Sequence, residues 1–374
     1  MRIAYISSAV IPSRTASSIH VMKMSQAFAL NGHNVLLLVP DKKRKKQTNV
    51  DDIYAFYGLK KSFQLVDLPW LSIGLPFRIR SHFFGRLASR KAYEFQPDLV
   101  YCRHIYSCFF ADQLGLSVIL ELHFPIRSSD WLSKWMFNKV VQSRHLNRLV
   151  VITYKLKEYL ELNYPKAKGK IQVAPDGADP VSDDIKGLDL TGQTKRLQVG
   201  YVGHLYRGKG MEIISRLAWD CVWADFHIVG GKDIDIQKSQ ERYKDIENLI
   251  FHGYQPHNFI SSYLKGFDVV LLPNLDQVST NKGRDIGRWT SPLKAFEYMA
   301  AGKAIICSDL PVLQEIFEHG HNAMLCSPDN LEVWKRTLKY LKENREFRKY
   351  LGQEAKRDFC QKYTWQARAK KVLS

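Results

Sequence analysis

The chain has 374 residues, of which 45% are apolar, 12% aromatic and 25% charged, with a formal net charge of +18. This apolar fraction excludes a mainly disordered protein, and the length predicts two or three domains. No run approaches the roughly 18 apolar residues that span a bilayer, and the first residues have the pattern of a buried strand, not of a secretory signal. The six cysteines contain no CxxC pair, which favours a reduced, cytosolic chain with buried thiols.

Buried-strand patterns alternate with helical patterns in both halves of the chain. In the first half, strands are predicted at residues 2–7, 35–40, 98–102, 118–122 and 148–153. A helical stretch covers residues 19–31, and Gly32 after it suits a helix C-terminus. In the second half, strands are predicted at 197–203, 225–231, 249–253, 268–273 and 304–309, and helices at 211–219, 259–265 and 291–299. Continuous apolar runs suit parallel strands covered on both faces, so the chain predicts an α/β fold.

Two successive βαβ series predict two doubly wound, Rossmann-like domains. The polar stretch 177–196 is the predicted linker. Ligands of open α/β sheets bind beyond the carboxyl ends of the strands. We therefore expect the two domains to face each other across a cleft, with the chemistry in the loops that follow the strands.

The positive charge lies mostly in residues 1–180. Residues 42–46 are five consecutive basic side chains, a run that a solvated loop also explains. Residues 70–91 interleave aromatic and aliphatic side chains with arginines, which is typical of a segment that contacts an anionic membrane surface. A basic patch also suits nucleic acid, but no helix-turn-helix, zinc-finger or RNP-like motif supports that reading. The charge pattern predicts a membrane surface and no nucleic acid.

The loop after the first strand argues against two common nucleotide-binding classes. A dinucleotide-binding fingerprint needs GxGxxG at this place, whereas residues 7–18 contain no glycine. The chain also contains no GxxxxGK[ST] motif of a P-loop NTPase.

Two loops of the second half suit a phosphate. Residues 200–210 carry several glycines with Arg207 and Lys209 just before a helix; glycines let backbone N–H groups approach an anion, although a basic turn that needs glycine has the same pattern. Farther on, Ser291 and Pro292 are the predicted N-cap and first residue of a helix. Glu297 in that helix could bind a ribose diol or be a solvated carboxylate.

Together these strings resemble the retaining glycosyltransferases of family 4, which have the GT-B architecture. In the second half, YVGHLYRGKGMEII, HIVGG, LIFHGYQPHNFISSYLKGFDVVLLPN and TSPLKAFEYMAAGKAIICSDLPVLQEI follow in the family's order. In the first half, residues 19–22 with 32–35 match its first βα unit, Glu121-Leu122-His123 its active-site histidine, and residues 173–179 its entry to the linker.

The resemblance implies that a hexose is transferred from a nucleotide-sugar to an acceptor with retention of anomeric configuration. It implies an acceptor-binding domain over residues 1–178, a nucleotide-sugar domain over 179–353, and a last helix over 354–374 that crosses back to the first domain. It requires no cofactor besides the donor substrate. No metal is expected, since lysines and helix N-termini supply positive charge at the diphosphate.

The resemblance also implies the site residues. The expected catalytic residues are His123, Lys209 and Glu297. The donor diphosphate is expected on Gly203, His204, Arg207, Lys209, Ser291, Pro292, Leu293 and Lys294. The nucleoside is expected on Gly230, Gly253, Tyr254 and Glu297. The acceptor side is expected at Ser17, Ser18 and His20.

Two positions depart from the family's pattern. The family has paired glutamates seven residues apart with Glu297 as the second, but the first position is Trp289. Its sugar contact must then come from Asp285 or from the backbone N–H groups of residues 290–293. His204 stands where the family commonly has arginine. The identity of the donor sugar therefore stays open.

The sequence as a whole predicts a cytoplasmic glycosyltransferase at the inner face of the cell membrane. We expect a UDP-sugar as donor, with GDP-mannose next, and a lipid-linked or saccharide acceptor in polysaccharide or glycolipid synthesis. The alternatives are a GT-B-shaped sugar-nucleotide epimerase and a catalytically silent nucleotide-sugar-binding module.

Overall fold

The computed structural model describes residues 1–42, 50–71, 74–127, 129–190, 196–278, 285 and 287–374, without the side chains of residues 257 and 258. The basic run at residues 42–46 therefore lies outside the described residues except for Lys42. The chain divides into two compact units. Unit 1 is Met1–Pro175 with Trp365–Ser374, and unit 2 is Asp176–Thr364.

Unit 1 is a parallel sheet of seven strands with helices between them. Its strands are β1 (Arg2–Ile6), β2 (Asn34–Asp41), β3 (Gln64–Pro69), β4 (Leu99–Cys102), β5 (Val118–Leu122), β6 (Leu146–Val151) and β7 (Ile171–Val173). Its helices are α1 (Ala16–Leu30), α2 (Ile53–Phe56), α3 (Phe77–Glu94), α4 (Ile105–Gln113), α5 (Trp131–Gln142), α6 (Tyr154–Asn163) and, from the end of the chain, the helix Trp365–Leu373. The strand order is β3-β2-β1-β4-β5-β6-β7.

Unit 2 repeats this architecture with six parallel strands. Its strands are β8 (Leu197–Val202), β9 (Ala224–Val229), β10 (Leu249–Gly253), β11 (Val269–Leu272), β12 (Ala304–Ser308) and β13 (Met324–Cys326). Its helices are α7 (Met211–Asp220), α8 (Asp233–Arg242), α9 (His257–Gly266), α10 (Leu293–Ala300), α11 (Pro311–Gln314), α12 (Leu331–Glu343) and α13 (Arg345–Lys362). The strand order is β10-β9-β8-β11-β12-β13, so the chain reverses its direction of progress between β8 and β11.

The α/β fold class with two parallel sheets is confirmed. Ten predicted strands correspond to β1, β2, β4–β6 and β8–β12. The sequence did not predict the short β7 and β13 or the half-buried β3, because none of these has a long continuous apolar run. The first helix starts at Ala16, not at residue 19, because the Thr15 side chain accepts a hydrogen bond from the Ser18 N–H and caps the helix.

The end of the chain holds two helices where the sequence predicted one. Residues 345–362 form α13, whose Ala355 and Phe359 lie in the core of unit 2. The final helix, α14 (Trp365–Leu373), buries Trp365, Ala369 and Val372 and belongs to unit 1. The boundary therefore lies at 364/365 where the sequence placed it at 353/354. The other boundary lies at 175/176, where the sequence placed it at 178/179.

Among the described residues, no helix combines the length and apolar character that crossing a bilayer requires. Five cysteines are buried and Cys360 is exposed, all as free thiols. Burial raises the pKa of the Cys221 and Cys326 thiols to about 11, so these two thiols stay protonated and chemically inert at neutral pH.

Candidate functional site

The loops at the carboxyl ends of β8, β9 and β10 lie directly against one another. The Gly203 N–H donates to the Val229 carbonyl at 2.9 Å, and the Gly230 N–H donates to the Gly253 carbonyl at 2.7 Å. A Cβ on Gly230 would lie 2.8 Å from the Gly203 carbonyl oxygen, and Gly230 has a φ of +105°. Only glycine allows this close approach, so these residues fix the edge of the sheet beside the reversal between β8 and β11, where open α/β sheets bind ligands.

The glycine-rich loop after β8 is held against the segment after β11. Leu275 donates its N–H to the Gly208 carbonyl at 2.9 Å. Gly210 is the N-cap of α7 with a φ of +88°, and a Cβ there would lie 2.0 Å from the Pro273 carbonyl oxygen. A side chain at this position would push the two segments apart. Glycine therefore allows the loop and the start of α7 to pack directly against the segment after β11.

Two lysines place positive charge at this edge without a carboxylate bound to either in the described part of the chain. The Lys294 Nζ is buried, has no hydrogen-bond partner among the described residues and lies 3.7 Å from the centre of the Tyr201 ring. Burial and, second, the Lys209 ammonium hold the pKa of Lys294 well below its usual range, while Glu297 raises it slightly. Burial lowers the pKa of Lys209 to about 8. Two neighbouring lysines that are shielded from water are stabilised in their protonated form by an anion, so the arrangement fits a phosphate.

Two further polar side chains at this edge lack partners among the described residues. The His204 Nδ1 is one; burial first, and then Lys294, Lys232 and Lys209, lower the pKa of this imidazole. The other is Asn274, directly after Pro273, with both polar atoms of its buried side chain unsatisfied. Buried polar groups are almost always hydrogen-bonded in folded proteins, so these two side chains make this edge a candidate ligand site.

The start of α10 differs from the sequence prediction in its capping. Pro292 is the N-cap and Leu293 the first helical residue; the sequence placed the N-cap at Ser291. The Ser291 hydroxyl instead accepts a hydrogen bond from the Asp176 N–H at 3.0 Å. Because Pro292 makes no side-chain cap, the first-turn N–H groups at Leu293 and Lys294 keep the positive end of the helix available to an anion.

The structure brings together most of the predicted diphosphate residues. The Tyr298 hydroxyl accepts from the Val202 N–H at 2.8 Å and so holds α10 against the end of β8. A Cβ on Gly203 would lie 3.3 Å from the Lys294 Nζ. Arg207 is an exception, since it is exposed. The predicted nucleoside residues lie along the same edge, with Tyr254 38% exposed directly after β10.

The position that replaces the first of the paired glutamates lies in a short 3-10 turn, Gly287–Trp289. One oxygen of Asp285 accepts from the Val278 N–H at 3.0 Å and from the Gly287 N–H at 2.9 Å. These bonds give Asp285 a role in holding the turn. Both replacements that the sequence left open, Asp285 and the backbone N–H groups of residues 290–293, stay predictions, and the N–H groups of that segment exclude Pro292, which has none.

A second polar cluster lies in unit 1 around the buried Glu121 of β5. One carboxylate oxygen lies 2.5 Å from the His123 Nε2, 3.0 Å from the His20 Nε2 and 2.9 Å from a terminal nitrogen of Arg368. The other oxygen accepts from the Tyr101 hydroxyl. Burial opposes ionisation, but the Arg368 and His20 charges and the donated hydrogen bonds hold the pKa of Glu121 well below its usual range.

This cluster contains residues that sequence reasoning missed. His123 was predicted, whereas Glu121 was quoted only as part of its motif and Arg368 not at all. Arg368 lies on α14 and also donates to the Pro175 carbonyl at 2.8 Å. The signal available for Glu121 was a lone carboxylate within an otherwise apolar strand, which is rarely buried without a partner.

The start of α1 gives two of the predicted acceptor-side residues other roles. Ser18 is fully buried, and its hydroxyl oxygen lies 2.6 Å from the Ser13 carbonyl oxygen and 2.8 Å from the Thr15 carbonyl oxygen, to either of which its one O–H can donate. The hydroxyl therefore stabilises the loop before α1. His20 is buried against Glu121 and stacks edge-on with Trp365 at 5.3 Å. Ser17 is exposed and stays a candidate for contact with an acceptor.

Comparison with protein families defines the class of protein. The model for "Glycosyltransferase Family 4" matches residues 17–181, and the model for "Glycosyl transferases group 1" matches residues 189–358. Together they cover most of the chain, and its fold agrees with that of solved GT-B glycosyltransferases. The chain belongs to the group 1, family 4 glycosyltransferases of GT-B architecture.

Particular relatives are distant. The uncharacterized glycosyltransferase MJ1607 of Methanocaldococcus jannaschii is 23% identical over 249 residues, or 61% of this chain and 59% of that protein. The chain thus matches less than two thirds of this relative's length. The sucrose-phosphate synthase of Thermosynechococcus elongatus superposes with a TM-score of 0.73 at 17% identity, over 99% of this chain and 97% of that one. Anabaena HepE in complex with UDP and glucose superposes with a TM-score of 0.70 at 12% identity, over 100% and 98%. At these identities the two structures show the shared fold.

Proposed function

We propose that the protein is a retaining glycosyltransferase that moves a hexose from a nucleotide-sugar to a lipid-linked or saccharide acceptor. The observation that carries this proposal is the pair of lysines, Lys209 and Lys294, whose pKa values are lowered by desolvation and which lie near the uncapped start of α10. This arrangement fits the diphosphate group of the nucleoside diphosphate that leaves when a nucleotide-sugar reacts. A UDP-sugar is the favoured donor and GDP-mannose the next; in support of UDP, Anabaena HepE was solved with UDP and glucose.

The difficult step of this reaction is the departure of the nucleoside diphosphate. The bond between the anomeric carbon and the β-phosphate oxygen breaks, and the acceptor oxygen bonds to the same carbon after losing its proton. Negative charge develops on the diphosphate, where Lys209, Lys294 and the α10 N–H groups would stabilise it as fixed charges and dipoles in a poorly solvated site. These groups supply the charge that a divalent metal supplies elsewhere, so we propose a metal-independent reaction.

The remaining predicted residues have roles in positioning the substrates. Glu297, less than two turns from the start of α10, would bind the ribose, and Gly253 with Tyr254 the base. Gly230 allows the close approach of the backbone beside them. In unit 1, His123 would contact the transferred sugar, since its side chain is partly exposed and Glu121 holds its Nε2.

The proposed location is the cytoplasmic face of the cell membrane, where a lipid-linked acceptor for polysaccharide or glycolipid synthesis is found. The basic and aromatic segment 70–91 supports contact with an anionic membrane surface, and residues 72 and 73 of it lie outside the described residues. Nucleic acid is not part of the proposal.

A thermal-shift panel of UDP, GDP, ADP and CMP tests the donor site, because a ligand stabilises the folded state by mass action. Nucleoside diphosphate release from a panel of nucleotide-sugars, with and without a lipid extract, tests the transfer. We expect Lys209→Ala and Glu297→Ala each to lower release about a hundredfold while the fold is kept. Lys238→Ala, an exposed lysine of α8, is the matched control.

Near-normal release by both variants would contradict the site assignment. Isomerisation of the sugar-nucleotide without bulk diphosphate release would instead identify an epimerase. Stabilisation by UDP with neither reaction would identify a silent binding module. If added EDTA abolished release, the metal-independent mechanism would be wrong.

A further inference from the structure

Helix α5 presents two tryptophans to solvent. Trp131 and Trp135 are 64% and 47% exposed and lie four residues apart, on one face of the helix. Tryptophan is highly buried on average, so two exposed on one face indicate a contact surface. This pair lies outside residues 70–91, to which the sequence assigned the membrane contact.

The outer face of α3 has the same character. Phe77, Ile79 and Phe83 are 56%, 49% and 39% exposed. Ile79 and Phe83 lie on a helical stripe that continues through the exposed Arg86 and Arg90. The inner face of the helix, which includes Phe84 and Ala88, is buried. The apolar side chains on the outer face are therefore not needed for the core of unit 1.

Arg78 joins the first turn of α3 to the start of α5. Its guanidinium donates to the Ser129 carbonyl at 2.6 Å and lies 3.5 Å from an Asp130 carboxylate oxygen. The same group lies 6.0 Å from the centre of the Trp131 ring. The two helices therefore present their aromatic residues from a connected framework.

Helix α4 closes the gap between them. The Arg86 guanidinium lies 5.6 Å from the centre of the Phe110 ring, Phe110 lies 5.4 Å from Phe109, and Phe109 lies 5.4 Å from Trp135. We call this continuous area the α3–α5 surface; it comprises residues 77, 79, 83, 86, 110, 131, 135 and 139.

The charge around these aromatic groups is strongly positive. α3 contains five basic residues and one acidic residue, and α5 contains two lysines and no acidic residue. The Lys139 ammonium lies 5.9 Å from the centre of the Trp135 ring. Anionic headgroups complement such cations, and tryptophan prefers the region between headgroups and acyl chains.

We infer that the α3–α5 surface docks on an anionic phospholipid bilayer, with Trp131 and Trp135 as the side chains that enter the interface. Arg86 and Lys139 contact the headgroups. This inference deepens the proposed function by naming the contact that brings a lipid-linked acceptor to unit 1, but the binding itself is measured without any reaction.

The experiment is sedimentation of the full chain with vesicles of phosphatidylcholine and phosphatidylglycerol in equal parts, and with phosphatidylcholine alone. Trp131→Ala/Trp135→Ala should weaken binding to the anionic vesicles about tenfold or more, through the lost apolar contact area. The matched control is Trp219→Ala, because Trp219 is 62% exposed on α7 of unit 2. A UDP thermal shift on each variant shows that the donor site is intact.

The basic residues of the α3–α5 surface lead to a separate prediction for the salt dependence of vesicle binding. Added salt should weaken binding of the wild type and of the tryptophan variant by the same factor, since salt screens only the cations. Arg86→Gln/Lys139→Gln should reduce this salt dependence and leave the tryptophan contribution in place.

Three results overturn the inference. They are equal vesicle binding by the wild type and the tryptophan variant, no binding by the wild type at low salt, and a dimer in solution that the tryptophan variant abolishes. The last identifies the surface as a contact between copies of the chain. Each result leaves the proposed transfer reaction standing when UDP still stabilises the protein, although absence of binding by the wild type also contradicts the proposed location at the membrane. Failure of the UDP shift with intact vesicle binding would instead contradict the donor site and leave the α3–α5 surface standing.

Discussion

Lys294 carries its ammonium group into a buried position without a hydrogen-bond partner among the described residues. Burial and the nearby Lys209 cation both lower the pKa of this group. A bound diphosphate reverses both effects, because an anion stabilises the protonated lysines. Both effects therefore favour the binding of an anion beside these lysines.

We predict that the affinity for UDP falls as the pH rises from about 7.5 to 9.5. The pKa of Lys209 in the ligand-free protein is about 8 and that of Lys294 lies well below its usual range. Above about pH 8 Lys209 has lost a proton that diphosphate binding must restore, so binding takes up a proton and affinity weakens by up to about tenfold per pH unit. Titration calorimetry in buffers of different ionisation enthalpy measures the uptake.

Lys294→Met should reduce both the affinity and the number of protons taken up, since one titrating group is removed. Lys238→Ala should change neither quantity. A dissociation constant that stays flat over this pH range would show that the lysines do not contact the diphosphate.

At the scale of elements, α14 completes a cluster whose other members lie on β4, β5 and α1 and in the loop after β5. Arg368 is buried, bonds to Glu121 and lies 3.1 Å from the Ala174 carbonyl. Its charge balances a carboxylate that also holds the Nε2 of His123 and His20. Helix α14 therefore acts on His123 through Glu121, and Arg368 is a positioning residue, not a catalytic one.

We predict that Arg368→Met lowers turnover and shifts the acidic limb of the pH–rate profile to higher pH. With the guanidinium removed, Glu121 keeps Arg103, whose Nε lies 3.8 Å from one of its oxygens, as a permanently charged partner. Loss of the Arg368 charge nevertheless removes a repulsive cation next to His123, so protonation of its imidazole becomes more favourable. UDP binding in unit 2 should not change. Breaking such a buried pair costs roughly 3–5 kcal/mol of stability, and Glu121→Gln/Arg368→Met should recover part of it.

Lys370→Met, an exposed change on the same helix, controls for the surface of α14. If Arg368→Met lowered turnover in proportion to its loss of folded protein, with an unchanged pH profile, the role of Arg368 would be structural alone.

At the scale of the whole molecule, two separately packed units carry different titrating groups in their interiors. In unit 2, His227 bonds through its Nδ1 to the His252 Nε2 at 2.9 Å and through its Nε2 to the Gln198 Oε1 at 2.7 Å. Burial first, and then His252, lower the pKa of His227 to about 4, while Asp225 raises it. The pair is therefore neutral in the folded state at physiological pH.

We predict that unit 2 loses stability as the pH falls from about 6.5 to 4. The pKa of His227 is lowered on folding, so the unfolded chain takes up protons first and the loss reaches roughly 3 kcal/mol at the acid end. Urea unfolding at pH 7 and pH 5, followed by hydrogen exchange in peptides of β8–β10, measures it. His227→Gln should reduce the pH dependence, and His145→Gln in unit 1 should leave it unchanged.

The sequence by itself determined the strands with continuous apolar runs, the α/β class and the loops that carry glycine and lysine, but not β3, β7 or β13. These are local properties, since a buried parallel strand needs a continuous apolar run and a phosphate loop needs small residues next to a helix start. Tertiary structure alone decided that Lys294 approaches Lys209 and that Asn274 has no hydrogen-bond partner in the described part of the chain. It also decided that Arg368, near the end of the chain, bonds to Glu121, and that Trp131 and Trp135 form one surface with α3. Each of these depends on packing between residues far apart in the chain, and burial and charge act through space, so no spacing along the sequence encodes them.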